Sequence, residues 1–243
     1  MRMLFIHRSV GRDLLEEGNF RKLLNAWYIR LDDYDNNSGV LTYDDGTAAR
    51  GAIAMPGNNT DPDNLAAFFA GWPELLNTYD AIIVKSCYPN SRIKNTAALE
   101  TVQTQYISML ASCKAHGKLL IILTTPPLRP LRTSAREATL ASQLASWLVD
   151  LSDSDDGLYV FDFHHALAEP SGPQAGMLKR AYRRTAPWDN HPNALAHQTL
   201  APLIADFIGS LEIDSASEPN QAAPAPVATP GADSPNEPTG GAV

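Results

Sequence analysis

A serine near the start of the chain and a histidine with a neighbouring aspartate near its end are the residue types of nucleophilic acyl chemistry. Ser9 sits in His7-Arg8-Ser9-Val10-Gly11, directly after the apolar run Met3-Leu4-Phe5-Ile6. His191 sits in Trp188-Asp189-Asn190-His191-Pro192-Asn193, with Asp189 two positions before it. A serine hydroxyl is a weak nucleophile until a base within hydrogen-bond reach takes its proton, and an imidazole does this best when an acceptor fixes its tautomer. On this reading Ser9 is a nucleophile, His191 its base and Asp189 the acceptor. Each residue also has a plainer role open to it. Serine is among the best helix N-caps, His-Pro-Asn suits the start of a helix with Asn193 as cap, and Asp189 is otherwise a loop acid.

The elements that must position these groups follow from the apolar pattern. The first run reads as a buried strand that ends in a tight turn at Ser9, with helical spacing over residues 12–26. Residues 27–31 are expected as a second strand, and residues 32–64, rich in Asp, Asn and Gly, as a long polar loop. A helix over 65–76 precedes a third strand over 79–87, whose centre is apolar as in a strand covered on both faces. Then come a helix over 95–115, a strand over 118–125 stopped by Pro126-Pro127, a helix over 133–151, a strand over 158–163 and a closing helix over 194–208. This alternation specifies a three-layer α/β/α sandwich around a five-stranded parallel sheet.

In such a sheet the carboxyl ends of the strands share one rim, where open α/β folds bind their ligands. That rim collects Ser9, Ser86 and Asn90, Thr124 and Thr125, and His164 and His165. The two adjacent histidines lack a metal-ligand spacing and are read as rim residues. Arg8 and Lys85 flank the site in sequence, either as solvated cations or as charge beside a developing oxyanion or an anionic substrate group. Cys87 and Cys113 form no CxxC pair and are expected to be free, partly buried thiols.

Composition bounds the rest. The 243 residues are 44% hydrophobic and 19% charged, which is ordinary for a globular chain. Residues 1–211 suit one α/β domain. Residues 212–243 hold six prolines and five acids but no Lys, Arg or aromatic residue, the signature of a disordered tail. With those five acids set apart, the net charge of −8 falls to −3 for the remainder. No basic stripe points to nucleic acid, and no apolar run approaches membrane-spanning length. No signal peptide is visible, so a cytoplasmic location is expected, or secretion if a further segment precedes residue 1.

The order "strand, serine, helix", the Gly/Asn-rich loop, a third strand ending in a turn with Asn, a fourth ending in Pro-Pro, and Asp-Asn-His-Pro-Asn before the last helix together resemble the SGNH (GDSL-like) hydrolase superfamily. The resemblance implies a flavodoxin-like sandwich and ester-cleaving chemistry without metal or cofactor. It implies Ser9 as nucleophile and His191 as base. It also implies an oxyanion hole from the Ser9 backbone N–H, a loop glycine and the Asn90 side chain, with Ser86 as a substitute donor. Gly57, in the densest polar turn, is the favoured glycine, with Gly51 and Gly39 as rivals. The pattern departs from the family in three places. His7-Arg8-Ser9 stands for Gly-Asp-Ser, the third block has no glycine, and Asp189 lies two residues before the histidine where the family acid lies three before. The acid therefore reaches the ring by a different loop path, or Ser9 and His191 work as a dyad.

The expected activity is hydrolysis of short-chain acyl or acetyl esters on a polar or carbohydrate carrier. The alternatives are a non-catalytic domain of this fold that binds carbohydrate or protein, and acyl transfer at the same site to an acceptor other than water.

Overall fold

The computed structural model describes residues 1–50, 60–86 and 88–211. Its central strand is β1 (Arg2–His7), flanked by parallel neighbours on both sides. Met3, Leu4, Phe5 and Ile6 are all fully buried, because side chains alternate between two covered faces. Leu4 and Ile6 join the larger core. On the other face Phe5 meets the Phe20 ring edge-on at 5.9 Å.

The chain then runs through α1 (Ser9–Glu16), α2 (Phe20–Asn25), β2 (Arg30–Asp35), β3 (Val40–Thr42), β4 (Ala48–Arg50), α3 (Pro62–Gly71), α4 (Pro73–Leu76) and β5 (Ala81–Lys85). A 3-10 turn (Tyr88–Ser91) leads to α5 (Thr96–Ala115), β6 (Leu119–Leu123), α6 (Ala135–Ser152), β7 (Leu158–Phe161), α7 (Phe163–Leu167) and α8 (Ala194–Gly209). The sheet order is β4-β3-β2-β1-β5-β6-β7. Five strands, β2-β1-β5-β6-β7, are parallel, and this is the flavodoxin order. None of the helices among the described residues is long and apolar enough to cross a membrane.

Two expectations are corrected here. The sheet has seven strands, since β3 and β4 add an antiparallel hairpin beside β2 within the stretch read as a loop. The second strand also begins later, at Arg30. Trp27 and Tyr28 close α2 through N–H donation to Leu24 and Asn25 carbonyls, and Tyr28 is left-handed at φ 58°. The true strand carries Asp32, Asp33 and Asp35, which read as loop acids but are buried. Each has partners. Asp32 accepts from Arg2 at 2.7 Å and from the Tyr79 hydroxyl at 2.9 Å, Asp33 pairs with His7 Nε2 at 3.0 Å and with Arg21, and Asp35 accepts from Asn37 N–H at 2.9 Å. Buried carboxylates persist only with such satisfaction.

Helix ends match their sequence signals. Asn95 and Asn193 cap α5 and α8 by accepting from Ala98 and Ala196 N–H, and Ser134 with Glu137 forms a capping box on α6.

Candidate active site

Only Arg8 separates β1 from α1, so the chain turns from strand to helix within one residue. Gly11 permits this. A Cβ there would lie 2.3 Å from His7 Cβ and 2.8 Å from His7 Cγ, so α1 can approach β1 closely only with glycine at that position. Ser9 is the first helical residue rather than its cap; Arg8 holds the cap position, and its side chain makes no capping hydrogen bond to the helix. The first helical bond runs from Arg12 N–H to Arg8 carbonyl, which leaves the preceding N–H groups, Ser9's included, without intrahelical acceptors.

The Ser9 hydroxyl points at the second half of the site. Its Oγ lies 2.7 Å from His191 Nε2, although the two residues are 182 apart in sequence. His191 Nδ1 lies 2.6 Å from Asp189 Oδ1. The same oxygen accepts the His191 backbone N–H at 2.9 Å. Two residues of spacing therefore suffice, because the loop folds back so that one carboxylate oxygen meets both the ring and the main chain of His191. Partial burial pushes the Asp189 carboxyl up, but the hydrogen bonds from His191 and the nearby charges of His191 and Arg184 outweigh it and hold the group below the usual carboxylate range.

Two arginines hold this loop in place. Arg129 Nη1 donates to the carbonyls of Arg184 at 3.1 Å and Asp189 at 3.0 Å, and also to that of Ala186. Arg184 Nε donates to the Pro192 carbonyl at 2.9 Å, and its Nη2 donates to Asp13 Oδ2 and Glu17 Oε1, both at 2.9 Å. One guanidinium thus ties the helix of Ser9 to the loop of His191. The Tyr88 ring packs edge-on against the imidazole at 5.7 Å, and its hydroxyl donates to the Asn190 carbonyl at 2.7 Å. Trp188, beside Asp189, is 71% exposed.

The remaining predicted residues are placed as follows. Asn90 is buried in the 3-10 turn that carries Tyr88, and its Nδ2 has no hydrogen-bond partner among the described residues. Ser86 is fully buried and accepts from the Tyr106 hydroxyl at 2.7 Å. Gly57 and Gly51 lie outside the described residues, as does Cys87, while Gly39 sits in the β2–β3 turn at φ 64°. Arg8 Nε donates to Asn37 Oδ1 at 2.7 Å. Lys85 is no solvated cation: it is buried, with Nζ donating to the Ser86 carbonyl at 3.0 Å. His164 sits at the carboxyl end of β7, against Thr124 and Thr125. It is buried in α7, with Nδ1 3.1 Å from the Thr125 carbonyl and Nε2 3.2 Å from Ser142 Oγ. Burial, chiefly, pushes its pKa down to about 4. His165 is exposed and pairs with Asp162 at 2.6 Å. Cys113 is fully buried, so burial pushes its thiol up to about 12.

The sequence reading missed Arg129, Arg184 and Tyr88, whose partners are main-chain carbonyls and, for Arg184, the Asp13 and Glu17 carboxylates as well, and these leave no local pattern. It also missed a group formed by Asp13, Glu17 and His197, whose donor atoms lie within 4.8 Å of one another. A signal for two of its three residues existed, since Ser9, Asp13 and Glu17 recur every four residues, a spacing that puts them on one face of a helix.

No protein-family model matches the chain, and no curated protein matches it. Solved structures are similar to it. A proposed acylhydrolase from Bacteroides fragilis is 14% identical with a TM-score of 0.56, covering 85% of this chain and 86% of that one. A GDSL-like lipase from Bacteroides thetaiotaomicron is 10% identical with a TM-score of 0.54, covering 86% and 89%. A proposed lipolytic protein of the G-D-S-L family from Desulfitobacterium hafniense is 11% identical with a TM-score of 0.54, covering 85% and 98%. At these identities the likeness is one of architecture, and the chain has the fold of the GDSL-like, or SGNH, hydrolases.

Proposed function

We propose that the protein is a serine hydrolase that cleaves esters through an acyl-enzyme on Ser9. The observation that carries this reading is the continuous hydrogen-bonded path from Ser9 Oγ through the His191 ring to Asp189 Oδ1, at 2.7 and 2.6 Å. In the first half-reaction Ser9 Oγ bonds to the ester carbonyl carbon and its proton passes to His191 Nε2. The carbonyl electron pair moves to oxygen. Ser9's N–H at the start of α1 and the Asn90 amide are the donors assigned to that oxyanion, where the positive end of the helix also favours negative charge. The tetrahedral species collapses, and the alcohol leaves with the proton from His191. Water then repeats the sequence on the acyl-enzyme, releasing the acid and restoring Ser9. Asp189 holds the ring so that Nε2 faces Ser9 and stabilises the imidazolium. Gly57 completes the proposed oxyanion hole.

The substrates assigned are short acyl esters on a polar or carbohydrate carrier. Exposed Trp188, one residue from Asp189, offers a flat apolar face to a sugar ring at the mouth of the site. The acylhydrolase and lipase descriptions of the similar structures support the ester class. The test is labelling by a fluorophosphonate probe together with turnover of acetyl and longer-chain nitrophenyl esters. Wild type is expected to label and to turn over, with acetyl preferred, and Ser9→Ala to do neither. A probe-inert wild type without esterase activity would leave the binding-domain reading in its place.

A further inference from the structure

We propose that Asp13, Glu17 and His197 form a binding site for a divalent transition-metal ion of the Zn2+ class, joining the helix of Ser9 to the helix that follows His191. Asp13 is on α1, Glu17 caps that helix one turn further on, and His197 is in the first turn of α8. His197 Nε2 lies 4.0 Å from Asp13 Oδ2 and 3.8 Å from Glu17 Oε2. Metal–ligand bonds of about 2.0–2.1 Å in tetrahedral geometry hold ligand atoms roughly 3.3 Å apart, so small side-chain rotations close the site.

A second observation points into the same space. His197 is only 1% exposed, yet among the described residues neither ring nitrogen has a hydrogen-bond partner, and neither does the buried Glu17 Oε2 beside it. The Pro192 carbonyl lies near the ring but outside hydrogen-bond geometry. Buried polar atoms left unmet in this way call for a missing ligand. Imidazole nitrogen with two carboxylate oxygens is a donor set that Zn2+ accepts.

Arg184 shapes the site without filling it. Its Nη2 bonds Asp13 Oδ2 and Glu17 Oε1, so Glu17 Oε2 stays turned to His197. Two carboxylates against one guanidinium leave a net negative charge for a cation. The ion shares Asp13 with Arg184, and through Arg184 the site reaches the Pro192 carbonyl next to His191.

The experiment strips the full chain with chelator, then titrates Zn2+ by calorimetry and follows thermal unfolding and the visible spectrum of Co2+. These readouts do not depend on esterase activity, so a negative result here leaves the proposed reaction untouched. The expected result is one ion per chain, a rise in Tm and an intense four-coordinate Co2+ spectrum. His197→Gln and the near-isosteric Glu17→Gln are each expected to weaken binding at least tenfold and to remove the Tm rise. His165→Ala, which removes the exposed His165–Asp162 pair, is expected to change neither. Absence of binding in wild type, or binding that survives both glutamine variants, would overturn the proposal. So would a weak six-coordinate spectrum abolished by His165→Ala. If a glutamine variant fails to fold, the wild-type Co2+ spectrum still decides.

Discussion

Asp189 Oδ1 accepts twice from His191, from the backbone N–H at 2.9 Å and from the ring Nδ1 at 2.6 Å. The turn and the ring are locked by one atom. Asp189→Asn keeps an oxygen for the backbone N–H but can offer an amide N–H to the ring, which favours the wrong tautomer. We expect the variant to fold normally and to lose turnover by about 10³- to 10⁴-fold. Rates on the best nitrophenyl ester check this; a loss below about threefold, roughly 0.65 kcal/mol of barrier, would remove the carboxylate from the mechanism.

Ser9 and His191 are expected to behave as a unit. Either alanine variant loses nearly all turnover, and the double variant is scarcely worse than the single ones. Independent, multiplying losses in the double variant would contradict a nucleophile–base pair.

Arg129 gathers the carbonyls of Arg184, Ala186 and Asp189 onto one guanidinium nitrogen. Arg129→Met removes that anchor and lets the His191 loop drift. Misplacement of about 1 Å at a reacting group costs on the order of 10²-fold, so we expect kcat to fall by about that factor with KM changing much less. Equal changes in both would mean that Arg129 acts on substrate binding instead.

Gly11 makes room for α1 against β1. Gly11→Ala puts a methyl 2.3 Å from His7 Cβ, and because both atoms belong to packed elements the helix must shift. Overpacking of this kind costs about 1–3 kcal/mol, and we expect chemical denaturation to register it. Esterase activity should fall further than stability alone explains, since Ser9 moves with the helix.

His164 predicts a pH dependence of stability. Its folded pKa is depressed to about 4 from 6.5, so the unfolded chain binds the proton more readily. The stabilisation is complete above about pH 6.5 and is lost as pH falls toward 4, at up to about 1.4 kcal/mol per pH unit. Unfolding of wild type and His164→Gln at pH 7 and pH 5 tests this. Wild type is expected to lose more stability over that interval, and equal losses would exclude His164 as the source.

Much of this was legible in the sequence where a pattern is local. The β1 run and its abrupt stop at Ser9 could be read because parallel central strands are apolar throughout. Asn193, read as a helix cap, does cap α8. β2 was misplaced because Asp32, Asp33 and Asp35 look like loop residues until Arg2, Arg21, His7 and Tyr79 arrive from elsewhere to satisfy them. The β3–β4 hairpin was lost inside the same polar stretch. At the site, residue types identified Ser9 and His191 as candidates. That Asp189 reaches the ring from only two residues away depends on a backbone path pinned by Arg129 and Arg184, and no spacing rule encodes it.

The span of 182 residues between Ser9 and His191 has a consequence for synthesis. A ribosome delivers the nucleophile first and its base last, with four of the five parallel strands, β2, β5, β6 and β7, in between. No shorter intermediate of the nascent chain holds both halves of the site, and closing so long a loop is among the slow steps of folding. Under the proposed chemistry, activity therefore appears only once translation has passed His191 and α8 has docked. Regain of esterase turnover after dilution from denaturant then times the meeting of Ser9 with His191, where a far-ultraviolet probe would time helix formation.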